Sequence, residues 1–135
     1  MTPLGLDHQL IAEMSGRDSL LDGRVARFAL YTFEDSVRAD AEIIARSSSR
    51  FERILLTFED VEEYHLNYDR EVTFYNIERV KFFIDADQVY ASFDPADERQ
   101  QESDDDNDCV RARHVRGFVL TVRSPNGEPC PWPPA

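Results

Sequence analysis

The residues whose types and spacing come nearest to chemistry are seven acids crowded into one stretch: Asp94, Asp97, Glu98, Asp104, Asp105, Asp106 and Asp108. Asp104, Asp106 and Asp108 fall at the i, i+2, i+4 spacing of the first ligands of an EF-hand calcium loop. The likeness ends there. Cys109 stands where a glycine is needed for the sharp turn, and Val115 stands where the bidentate glutamate belongs. Weak, roughly millimolar cation association is the most this spacing offers, so neither a built metal site nor any cofactor is expected.

Other chemistries find less support. His8, His65 and His114 are scattered without HExxH or paired-cysteine spacing, which argues against zinc. A nucleophile needs a base held beside it, yet there is no GxSxG motif, and Ser47, Ser48 and Ser49 lie in a polar loop. Cys109 adjoins the acidic run, which disfavours its thiolate, while Arg111 and Arg113 act the other way. Five unclustered glycines cannot form a phosphate-cradling loop. The expectation is a chain that is not an enzyme and has no catalytic residues.

Composition narrows the role. Fifteen basic against 27 acidic residues leave a net charge of −12, which repels phosphate backbones and anionic membranes and attracts cations or basic proteins. No apolar run approaches the roughly 20 residues that span a bilayer. Met1 to Met14 lacks the basic start and apolar block of a secretory signal, so a cytoplasmic location is expected. Cys109 and Cys130 then read as two unpaired thiols rather than a disulfide. A 41% hydrophobic content with 11% aromatics is enough for a core, and 135 residues suit one domain.

What must position the acids is a β-rich frame. From Arg50 to Asp94 alternate residues are apolar: Ile54, Leu56 and Phe58; Tyr64, Leu66 and Tyr68; Tyr75 and Ile77; Val80, Phe82 and Ile84; Val89, Ala91 and Phe93. A period of two predicts an antiparallel meander with these side chains inward, although Val61 allows the first two strands to run on as one bent ribbon. Asp85-Ala86-Asp87 suits a hairpin turn. Arg24 to Phe33 reads as a strand covered on both faces. Asp35 to Arg46 fits either a second helix, on the spacing of Val37, Ala41, Ile44 and Ala45, or in part another strand. Asp7 is a candidate cap for a short N-terminal helix that Gly16 ends. Phe118 to Arg123 reads as the last strand. The fold class expected is α+β, mainly antiparallel sheet, with residues 1–123 as one domain. An acidic mobile loop at 94–109 and a proline-rich tail at 124–135 complete it.

The phrase Val89-Tyr-Ala-Ser-Phe-Asp-Pro-Ala-Asp-Glu98, followed by Ser103-Asp-Asp-Asp-Asn-Asp-Cys-Val-Arg-Ala-Arg-His-Val115, resembles the ending of small, uncharacterised, acidic bacterial proteins. In these a strand closes with an SLDPxDE-like phrase, an acidic DND segment follows, and a final strand comes last. Phe93 replaces the usual leucine, and the Pro-Trp tail lies outside the pattern. Some similar proteins are immunity partners of secreted toxins. That resemblance favours an immunity-type role and assigns no binding residue. Charge supplies the rest of the expectation: a non-enzymatic protein, monomer or homodimer, that neutralises a basic partner protein such as a toxin, with the seven acids named above as the partner-binding residues that steer it in. The rival expectation is a structural domain that self-associates, and a small-molecule or calcium-binding protein ranks below both.

Overall fold

Apolar alternation builds the sheet, and the turns between strands decide its order. The computed structural model describes residues 1–68, 70–71 and 75–123, and the backbone of 129–131. The strands are β1 Thr2–Leu6, β2 Arg24–Phe33, β3 Ser36–Ile44, β4 Phe51–His65, β5 Lys81–Asp85, β6 Gln88–Asp94, β7 Asn107–Arg123 and β8 Pro129–Pro131. One short helix, α1 His8–Glu13, and a single 3-10 turn, Gly16–Asp18, precede β2. The fold is therefore mainly antiparallel β-sheet with very little helix.

The described sheet runs β2-β3-β4-β7-β6-β5. It is two three-stranded meanders, β2-β3-β4 and β5-β6-β7, joined where the long strands β4 and β7 pair along their length. The other edge of β7 is shared in succession by β6, β1 and β8. The chain entering β5 also reaches the far edge: Val25 N–H donates to the Tyr75 carbonyl at 2.7 Å, and Ile77 N–H donates to the Gly23 carbonyl at 3.0 Å. The sheet thus curls around one core, which holds Ile43, Ile54, Leu56, Phe58, Val89, Phe93, Val110 and Val119. Leu10 of α1 and Ile77 close it. Burying such side chains yields about 1.5–3 kcal/mol each, the main stabilising contribution.

Several expectations change. Residues 36–44 form a strand, not a second helix, because Ala39, Ala41 and Ile43 alternate inward against β4 and that face is fully buried. β2 is an edge of the described sheet rather than a strand covered on both faces, and its only buried residue is Val25. The single meander over 50–94 is interrupted, since β4 neighbours β7 and not β5. Phe51 to His65 is one continuous strand, with Asp60 at φ 55 just before the register shift between Val61 and Glu63. Tyr64, Tyr68 and Tyr75 are exposed and contribute nothing to the core. Asp7 sits at φ 48 and makes no side-chain cap. Its carboxylate instead accepts from the Val115 N–H at 2.8 Å and meets His114 Nδ1 at 2.8 Å, tying the start of α1 to β7.

Other expectations hold. Ala86 and Asp87 both have positive φ, as a tight two-residue hairpin turn requires, and join β5 to β6. The last strand exists but begins eleven residues earlier, at Asn107, where the acidic run still continues. Of the proline-rich tail, only the backbone of β8 falls within the described residues. The side chain of Cys130 and the rest of the tail expected at 124–135 lie outside them.

Candidate functional site

β6 is apolar on its inner side, through Val89, Ala91 and Phe93, yet its outer-side residues Tyr90 and Ser92 are also buried. Something must cover them. The cover is the acidic connection between β6 and β7, which folds back over the outer side of the β5-β6-β7 meander and along the β5 edge.

One buried carboxylate holds that connection in place. Asp106 is 2% exposed and accepts from Tyr90 Oη at 2.7 Å, the Ala96 N–H at 2.9 Å and the Ser103 N–H at 3.0 Å. Lys81 Nζ lies 3.0 Å from both of its oxygens. Lys81 is the only lysine in the chain and is wholly buried. Its ammonium also donates to the Gln101 carbonyl at 2.6 Å and pairs with Asp97 at 3.2 Å. All three ammonium donors therefore have a use, which a buried lysine requires. Gln100 Oε1 accepts from the Phe82 N–H at 3.2 Å and so covers a donor on the β5 edge. Burial raises the Asp106 carboxyl, but the Ala96 N–H, Tyr90, Lys81 and Ser103 together outweigh it and hold the group below the ordinary carboxylate range.

Asp108 is the second buried acid of the run, 1% exposed and at φ 50. It accepts from the Asn67 N–H at 2.8 Å, which fastens the end of β4 to the start of β7. Burial pushes its carboxyl up, and the Asn67 hydrogen bond only partly offsets that. The run expected as an acidic mobile loop at 94–109 is thus buried at Asp106 and Asp108, where local backbone N–H groups and one lysine replace water. Both carboxylates are turned into the protein.

The remaining members point outward or to the rim. Asp94 is half-buried near Asn107, at the end of β6. Asp97 is shared between Lys81 and Arg99, and the Arg99 N–H first and then Lys81 hold its carboxyl low. Glu98, Asp104 and Asp105 are exposed or rim residues that make no ion pair among the described residues. The arginines of β7 mostly turn elsewhere: Arg113 toward Asp60, Arg116 to Glu59, and Arg111 to Glu63 and to Glu102, the one loop acid they reach.

Beside the loop lies a small polar cleft of about 80 Å³, lined by Glu63, His65, Tyr90, Asp104, Cys109 and Arg111 among others. Burial raises both the Tyr90 hydroxyl and the Cys109 thiol, so at neutral pH neither is a ready base or nucleophile. Among the described residues no group of three or more His, Cys, Asp or Glu is arranged to hold a metal ion. The arrangement can present negative charge on a fixed scaffold.

Sequence reasoning missed Lys81 and the buried place of Tyr90, which would otherwise be offered as a partner contact. The usable signal was a lone lysine set between Val80 and Phe82 in an alternating strand, at a position where its neighbours on that side, Phe83 and Tyr90, are large. Compared with known proteins, the chain matches no family model, no curated protein and no solved structure.

Proposed function

We propose that this chain is a non-enzymatic acidic binding protein that recognises, and by occupying its working surface neutralises, a basic partner protein of the kind a secreted toxin would be. Asp97, Glu98, Asp104 and Asp105, with Asp94 at the edge, supply the field that draws the partner in. Asp106 and Asp108 shape the loop. The single observation behind this reading is that Lys81 and Asp106 fix the connection while Glu98, Asp104 and Asp105 stay unpaired among the described residues. Carboxylates held outward without a cationic neighbour steer association more than they add affinity.

The test is kinetic. A partner captured at low salt is purified, and its association rate is followed by stopped flow. The triple variant Glu98→Gln, Asp104→Asn, Asp105→Asn should slow association about tenfold at low salt and flatten its salt dependence. A partner that is acidic, or a rate indifferent to both salt and the triple variant, would overturn the reading.

A second reading, self-association, draws on the β2–β3 hairpin, where Tyr31, Phe33 and Val37 are exposed together. An edge strand carrying apolar side chains is a ready template for pairing. Sedimentation separates the two, because apolar self-association persists at high salt and grows with concentration.

A further inference from the structure

The loop that carries the acids also forms one wall of an apolar groove. The groove opens between α1 and β5 and has a volume of about 390 Å³, within the range of pockets that take sizeable apolar groups. It is lined by Ile11 of α1, Met14 just after that helix, Leu21, and Val80 and Phe82 at β5. Its rim is polar and comes from the acidic connection: Glu98 and Gln100, with Ser15 opposite. Gln100 is fixed there by its bond to the Phe82 N–H, so Glu98 is held at the mouth.

We infer that this groove receives an apolar side chain of the partner, and that the partner's recognition element is a basic segment with Lys or Arg flanking one large aliphatic or aromatic residue. The inference rests on the acidic-binding reading above and adds where affinity resides. Charge complementarity decides the occupant. A neutral apolar group has no reason to choose a mouth guarded by Glu98, unpaired among the described residues, and an acidic segment would be repelled. A cation beside an apolar anchor satisfies both parts at once. Burying an anchor in a preformed pocket is what usually carries an interface, while the charged rim sets the rate and the choice of partner.

Short random peptides displayed on phage and selected on the full chain at physiological salt provide the probe. Selected peptides should share one large apolar residue flanked by Lys or Arg. Their synthetic forms should lose about tenfold or more in affinity against Ser15→Trp, which fills the groove from an exposed position, and less against the near-isosteric Val80→Thr. Glu98→Gln should weaken them about threefold and reduce the salt dependence. If selected peptides are basic but carry no apolar anchor, and Ser15→Trp leaves their affinity unchanged while the triple acid variant weakens them, the groove inference falls and the acidic-binding reading stands. Acidic or purely apolar selections would overturn both. A chain that sediments as a dimer whose formation Ser15→Trp abolishes would show a second copy in the groove and overturn the basic occupant.

Discussion

A lysine and an aspartate buried together are a costly way to hold a loop. Removing one partner leaves the other charged in a site without water, which typically costs about 3–5 kcal/mol. Lys81→Met should therefore destabilise the fold by about 3 kcal/mol in urea denaturation, Asp106 retaining three other donors. The double variant Lys81→Met, Asp106→Asn should recover part of that loss, because the remaining amide still accepts from the backbone. Acid acts on the same pair. Since the Asp106 carboxyl is held below its unfolded value, its stabilising contribution is complete above about pH 4 and is lost as pH falls through the lower folded value. Asp97, also lowered, behaves in the same sense. Loop protection measured by hydrogen exchange should hold through mildly acidic pH and fall only below about pH 4. An amine-reactive reagent should label the terminal amine long before Lys81. This pair was not legible in the sequence. Charge runs are solvated in most proteins, and no local pattern says which of the seven acids, or Glu102 among them, will meet the one buried cation.

Strand identity was legible wherever alternation was long and unbroken, as at Ile54-Leu56-Phe58 and Val89-Ala91-Phe93, both of which face the core. It failed where small residues blurred the period. Ala39 and Ala41 fill a crowded inner face in β3, but alanine is also the best helix former, so 36–46 read equally well as helix. β1 went unseen because its five residues include Pro3 and Gly5, which weaken any strand signal. The reason β1 and α1 lie where they do is Gly117. A Cβ there would come within 2.2 Å of a Leu10 methyl, so β7 needs glycine for α1 to settle onto it. Gly117→Ala should cost about 1–3 kcal/mol through overpacking, and Gly117→Ala with Leu10→Ala should cost less than the sum of the two single changes. Thermal denaturation of the four proteins measures this. Additivity would mean that the helix does not bear on that position.

At the scale of the whole molecule, strand order and charge placement are both long-range facts. β7 collects β4 along one edge and β6, β1 and β8 along the other, a choice set by how two curled meanders share a core and not by any one segment. The same long strand places Arg111, Arg113 and Arg116 against Glu63, Asp60 and Glu59 of β4, so the basic charge nearest the loop in sequence is largely used within the sheet. The surplus behind the net charge of −12 is then concentrated at the loop rather than spread evenly. If those outward carboxylates served the fold, neutralising them would weaken it. Among the described residues they lie beside like charges and make no ion pair, so the opposite follows. The triple variant Glu98→Gln, Asp104→Asn, Asp105→Asn should match or slightly exceed the stability of the parent at low salt, and the gap should close at physiological salt as screening relieves repulsion in the parent. Urea midpoints at the two ionic strengths measure it. A variant less stable than the parent by about 1 kcal/mol or more would make these acids structural and would remove the reason to assign them to a partner.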